Sequence, residues 1–325
     1  MSAWKKSDLH LHTSFSGWRR LHHLIDAQDC YVGPDEAFAT ARRRGMDYVA
    51  FTDHDTIDGA LDFLSRHPEE EPRVIVGEEV ETRLAETGRW IHLNVYGVDE
   101  RIHEDLARLR GDAIETIDYL SRRRMPFVLN HPFQSFRSIR AARHHLAILL
   151  PLVPAIEVCN STSPRIQRRV LEAMLDGLSN PVCARIGGSD AHTTRRIAAA
   201  YTVAPGETKT EFLDSIRRGE CEAGGQAQGL GALVCDVYQI VWEYYAQLYG
   251  GALPAGMRRR AGNVLGSIAL LPAVILGLPA TLTALHVARQ VFIARFGSWA
   301  EESWAKEPSA LAAPETGRGE VESAG

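Results

Sequence analysis

Residues 7–18 read Ser-Asp-Leu-His-Leu-His-Thr-Ser-Phe-Ser-Gly-Trp, "SDLHLHTSFSGW". Successive side chains of a strand point to opposite faces, so His10 and His12 point to the same side. Such a pair either grips a metal or is an ordinary buried pair at a strand edge. The short apolar runs that follow decide between the two, because they also end in histidine or carboxylate. "FTDHDT" (51–56) supplies Asp53, His54 and Asp55, and "GEEVE" (77–81) supplies Glu78, Glu79 and Glu81. "RWIHLN" (89–94) adds His92, "LNHPF" (129–133) adds His131, and "GGSDAHT" (187–193) adds Asp190 and His192. Asp190 and His192 repeat the two-residue spacing of the opening pair, as do Glu79 and Glu81.

These runs belong to a regular alternation. "MDYVAFT" (46–52), "RVIVGEEV" (73–80), "IHLNVYGV" (91–98), "PFVLN" (126–130), "AIEVCN" (155–160) and "VCARIGG" (182–188) are short, rich in Val and Ile, and read as strands. Helical stretches lie between most of them. One opens at Pro34 and stops at Gly45, one runs from Glu100 to Arg124, and one runs from Pro164 to Asp176. The class is α/β, with a largely parallel sheet that is open or closed as a barrel. In a parallel barrel, residues at the carboxyl ends of different strands converge on one face. Six histidines and two acids delivered there form a multi-metal site, with imidazoles suited to Zn, Mn or Fe and carboxylates able to bridge two ions.

The chain has 325 residues, enough for one large barrel with an appendage. Its net charge of −5 carries no excess of positive charge for nucleic acid, despite arginine runs at 42–44, 122–124 and 258–260. Five scattered cysteines form no CxxC pair, which argues against a disulfide framework and for a reducing compartment. No apolar core of a secretory signal stands near Met1, so a cytoplasmic location is expected. Three regions are expected: 1–222 with the strand–helix alternation, 223–305 helical and apolar, and a disordered tail at 306–325. Residues 261–288 contain no Asp, Glu, Lys or Arg. That length predicts membrane association, as a span or an inserted hairpin, against the alternative of a buried apolar hairpin.

The ordered series "DLHLHT", "TDHDT", "GEEVE", "IHLNVYG", "NHP" and "GGSDAH" resembles the successive signatures of the PHP (polymerase and histidinol phosphatase) family, over about residues 6–220. The resemblance implies a distorted (β/α)7 PHP barrel, here with a mainly helical apolar extension, and metal-dependent phosphoesterase chemistry on two or three divalent ions. It implies that His10, His12 and Asp190 hold a first metal, that Glu79 bridges it to a second held by His92 and His131, and that His54 and His192 hold a third. His54, His192 and Asp190 are then also the candidate catalytic residues. One position departs: Gly17 stands where the family often carries an acid that helps hold the third metal. His22 or His23, in a connection that also holds Asp26, is the replacement candidate, or the third place is empty. Asp8 is a candidate partner for a ligating imidazole, and Arg195, Arg196 and Arg137 are candidate phosphate clamps.

The expected reaction is hydrolysis of a phosphomonoester, such as a nucleotide or an oligonucleotide 5′ end, by water activated between metals. A membrane-tethered enzyme would instead meet a lipid-linked or envelope phosphate. The alternatives are a 5′–3′ exonuclease-type phosphodiesterase, a metal-binding regulatory module with little turnover, and an amidohydrolase-like action on C–N bonds. The expected partner is a small phosphorylated substrate; no protein partner is identifiable.

Overall fold

The computed structural model describes residues 3–21, 25–134, 139–176, 183–250 and 260–304. In chain order the strands are β1 (Trp4–Asp8), β2 (Trp18–Leu21), β3 (Ile25–Gln28), β4 (Tyr48–Phe51), β5 (Val74–Leu84), β6 (Arg89–Tyr96), β7 (Phe127–Leu129), β8 (Ala155–Asn160), β9 (Ala184–Gly188), β10 (Ala200–Pro205) and β11 (Glu222–Gly225). The helices are α1 (Pro34–Arg43), α2 (Asp58–Arg66), α3 (Glu100–Leu109), α4 (Ala113–Arg122), α5 (Ile139–Leu149), α6 (Arg165–Asp176), α7 (Lys209–Arg217), α8 (Leu230–Gly250), α9 (Arg260–Ile275) and α10 (Leu278–Trp304). His22, His23, Arg137 and the tail from 305 lie outside the described residues.

One sheet runs β11-β10-β1-β4-β5-β6-β7-β8-β9. Its two ends meet and nearly close a barrel. At the carboxyl end the Asp190 N–H donates to the His10 carbonyl (2.8 Å) and the His12 N–H donates to the Ala191 carbonyl (3.1 Å). Further back, Thr202 of β10 joins the edges through its hydroxyl, which accepts from the Gly187 N–H (3.0 Å) and donates to the Gly187 carbonyl (2.8 Å). Closure at this seam needs glycine at 188. A Cβ there would lie 2.4 Å from His10 Cβ and 2.7 Å from Glu157 Oε1.

The expected largely parallel sheet is only partly so. β5 pairs antiparallel with β6, and β6 with β7. The four residues 85–88 joining β5 to β6 are too few for a crossover, so the strands fold back as a hairpin. The expected single helix from Glu100 to Arg124 is also two. Gly111 ends the first stretch, and the Asp112 carboxylate caps α4 by accepting from the Ile114 N–H (2.8 Å) and the Glu115 N–H (3.3 Å).

Strand alternation sorts the core. On β4, Tyr48 and Ala50 pack with Leu9, Ile75 and Tyr96, while Val49 and Phe51 pack with Phe38 and Phe63 of the covering helices α1 and α2. Phe212, Leu213 and Ile216 of α7 join the first cluster. The same alternation on β5 separates Glu78 from Glu79. Glu78 pairs with His103 of α3 (Nδ1–Oε2 2.8 Å), while Glu79 faces the other histidines. Among the described residues no single helix is long and apolar enough to cross a membrane; α9 and α10 meet that test only as a pair, bent by 68°.

Candidate metal centre

β1 ends at Asp8, and the next residues of the chain run along the barrel seam. This brings His10 and His12, both fully buried, against β5 and the loop after β9. His10 Nε2 stands 3.2 Å from Glu79 Oε2 and 3.5 Å from Asp190 Oδ1. His12 Nε2 repeats this at 3.2 Å and 3.4 Å. Four donors at about 2.0–2.1 Å around a tetrahedral ion lie about 3.3 Å from one another. The four imidazole–carboxylate separations match that spacing, and His10, His12 and Glu79 together stand close enough to hold one ion.

The second oxygen of Glu79 faces the other way. Its Oε1 is 3.0 Å from His92 Nδ1 and 3.0 Å from His131 Nε2, and accepts from Asn130 Nδ2 at 2.9 Å. One carboxylate is thus shared between two histidine pairs. His54 Nδ1 also approaches Glu79 Oε2, at 3.1 Å. Histidines 12, 54 and 192 form a further group close enough to hold one ion. The structure brings together all eight residues singled out from the sequence. Two of them, Asp190 (φ 53°) and His131 (φ 23°), have backbone in the left-handed region, a strain tolerated where side-chain placement matters.

One acid has a place that differs from the reading of the sequence, and two that the sequence did not single out join the centre. Asp8 is not the partner of a ligating imidazole. Its carboxylate accepts from the N–H groups of Ser189 (2.9 Å), Ala198 (2.7 Å) and His10 (3.3 Å), and so ties the seam together. Burial raises it to about 6. The imidazole partner is Glu157 on β8. Its Oε1 faces His10 Nδ1 at 3.0 Å, and its Oε2 accepts from the His131 N–H (3.0 Å) and Asn160 Nδ2 (2.9 Å). The third acid is Asp29, just after β3. Its Oδ2 lies 3.6 Å from His54 Nε2 and 4.0 Å from His192 Nε2.

Asp29 answers the departure at Gly17. A Cβ on Gly17 would lie 3.9 Å from His54 Cβ, so an acid at that position would also reach the His54 neighbourhood. This chain has glycine there and delivers a carboxylate to His54 and His192 from the β2–β3 hairpin instead. Arg196 is not open to a phosphate: it is buried and paired with the Asp236 carboxylate of α8. Arg195 is exposed.

Burial opposes charge throughout the centre, and its groups resolve this jointly. Burial would push the Glu79 carboxyl up, but His10, His54 and His92 outweigh it and hold it well below its usual range. Asp190 is likewise held low, burial being overcome by His10 and by its hydrogen bond with His12. Burial disfavours a charged His12, yet Asp190 and Glu79 raise it to about 10. Burial keeps His54 neutral, well below its usual value. Glu79 and Asp190 thus favour positive charge at His10 and His12.

Residues 183–221, which include β9, Asp190 and His192, match a family model described as PHP-associated. The uncharacterized protein MJ1587 of Methanocaldococcus jannaschii is 33% identical over 81 residues, 25% of this chain. The match spans 47%, about half, of the length of that curated relative. Among solved structures, this chain is similar in fold to a two-domain protein of Bacteroides vulgatus containing a predicted PHP-like metal-dependent phosphoesterase. That alignment has a TM-score of 0.50 at 17% identity and covers 69% of this chain and 66% of that one. PsfC of Pseudomonas syringae aligns with a TM-score of 0.49 at 21% identity, over 74% of this chain and 98% of its own.

Proposed function

We propose that this chain is a member of the PHP family and a hydrolase, a metal-dependent phosphoesterase acting on phosphomonoesters, a reading supported by the PHP-associated match over residues 183–221 and by the fold. The observation that carries the reading is the Glu79 carboxylate, shared between His10–His12 on one oxygen and His92–His131 on the other. His10, His12, Asp190 and Glu79 would hold one divalent ion, Glu79, His92 and His131 a second, and His54, His192 and Asp29 a third. Zn, Mn and Fe all suit this donor set. Bound there, the ions would neutralise phosphate charge and acidify an attacking water. Glu157 orients the His10 ring from behind, and Asn130 fixes the Glu79 carboxylate.

The test is turnover by the full chain, loaded with Mn or Zn, on p-nitrophenyl phosphate and on bis(p-nitrophenyl) phosphate. Turnover of the monoester, lost to a chelator and restored by the ion, is expected. Preference for the diester would favour the exonuclease-type reading. Bound metal without turnover on either would favour a regulatory module.

Three expectations attach to this centre. His12 is protonated at pH 7 and must lose its proton to a metal, so loading releases protons and affinity rises with pH up to about 10. Calorimetric titration in buffers of different ionisation heat measures this; heats independent of buffer would contradict it. Glu157→Gln weakens the grip of Glu157 on His10 Nδ1, and metal affinity falls about 10–100-fold with the fold intact. Competition with a chromogenic chelator reads the change. Asp29→Ala lowers the bound metal by one ion per chain, and adding Gly17→Asp restores it. Full metal content in Asp29→Ala would remove Asp29 from the set.

A further inference from the structure

The two helices α9 and α10 are built inside out. A helix on the surface of a soluble domain turns its apolar stripe inward and its polar face to water. Here Asn263, Ser267 and Gln290 are inside, while Thr281, His286, Arg289 and Arg295 of α10 are exposed. Asn263 and Ser267 on α9 are each 1% exposed, and Gln290 on α10 is buried against Gln167 of α6 (Nε2–Oε1 3.3 Å). Ser267 is held by two tyrosines of α8. Tyr245 donates to its carbonyl (2.8 Å), and the Tyr249 hydroxyl meets its own hydroxyl (2.9 Å).

Large apolar side chains dominate the outward side of α9 and the first turns of α10. Leu265, Ile268, Leu271 and Ile275 recur every three or four residues on α9, Leu278, Leu282 and Leu285 do so on α10, and Phe292 follows two turns later. Leu276, at the bend, is 86% exposed and Ile275 is 73% exposed. Gly277 makes the bend possible, with φ +92°. Apolar groups outside and polar groups between helices is the arrangement that hydrocarbon solvent selects.

Charge points the same way. The chain as a whole is acidic, yet residues 244–300 contain no Asp or Glu and carry five arginines, at 258, 259, 260, 289 and 295. These arginines flank the uncharged stretch on both sides. Length excludes a simple crossing. The 16 residues of α9 extend about 24 Å, and the uncharged start of α10 is shorter, against a hydrocarbon thickness of about 30 Å.

We propose that the α9–α10 elbow is a monotopic docking device that seats its leucine face in a bilayer of anionic lipids, with Arg289 and Arg295 of α10 at the headgroups. The inner side of α9 packs close to the segment that carries Asp29. Val264 and Leu270 of α9 pack with Tyr244 and Leu248 of α8 against Ala27 and Tyr31, which flank Asp29 in the chain. Docking therefore places the proposed phosphoesterase site beside the membrane surface. The inference stands on the helices alone and does not require the metal reading.

The test is co-sedimentation of the full chain with vesicles of phosphatidylcholine alone and of phosphatidylcholine with 30% phosphatidylserine, run with the exposed double variant Leu276→Glu/Leu282→Glu. Expected are binding to the anionic vesicles, at least a tenfold loss of that binding in the variant, and unchanged metal content and circular dichroism. Absence of binding to either vesicle overturns the proposal, as does binding that the double variant leaves unchanged. Light scattering separates the other occupant: a dimer that the variant dissociates, without vesicle binding, would assign the face to a second copy and overturn the membrane reading.

Discussion

Replacing Glu79 by glutamine is expected to strip the centre of its metal and to lower turnover by about 10²–10³-fold or more. The amide keeps the shape of the side chain, but it removes the charge and turns one acceptor into a donor. Both oxygens are in use. Oε2 faces His10, His12 and His54, and Oε1 faces His92 and His131. An NH2 on either side would meet imidazole nitrogens and could hold no cation with them. The control is Glu78→Gln, one residue away. Glu78 lies on the other face of β5 and pairs with His103, so this variant is expected to keep its metal and its activity. Metal content by mass spectrometry and turnover of p-nitrophenyl phosphate read both variants. A full metal complement in Glu79→Gln would reject the shared-carboxylate centre.

Asp236→Ala is expected to destabilise the protein by about 3–5 kcal/mol, because it leaves Arg196 buried without its counter-charge. Arg196 is only 3% exposed, and its other contact is a long one, from Nη1 to the Ser161 carbonyl at 3.4 Å. Asp236 also accepts from the Thr193 hydroxyl (3.3 Å), so the substitution loosens α8 from the segment that carries His192. Urea unfolding measures the loss. The paired replacement Arg196→Met/Asp236→Leu is expected to recover most of it, since it removes both charges together. A change within about 0.5 kcal/mol for Asp236→Ala, the size of a typical exposed substitution, would show that the pair does not anchor α8.

The two substitutions mark the difference between what was legible in the sequence and what was not. Glu79 was legible because its register is local. The alternation of β5 puts Glu78 and Glu79 on opposite faces, and the resemblance to the PHP signatures picks out Glu79. The six histidines and Asp190 were legible for the same reason, each standing at the end of a short apolar run. Glu157 carried a weaker signal, a single acid in the otherwise apolar "AIEVCN", where a buried charge implies a partner. Asp29 carried none, since only the β2–β3 hairpin sets it beside His54 and His192. Arg196 was misread, because adjacency to "SDAHT" does not show that α8 covers it.

By itself the sequence determined the α/β class, the strands from β4 to β9 and the set of histidines, because periodicity and strand-end residues are written in neighbouring positions. Tertiary structure alone decided which carboxylate each imidazole meets, where the sheet turns antiparallel, and which face of α9 and α10 turns outward. Those outcomes depend on residues far apart in the chain. The His10–Glu157 and Arg196–Asp236 contacts span 147 and 40 positions. Burial makes each such contact obligatory, because a charge removed from water must find its partner wherever the fold has carried it.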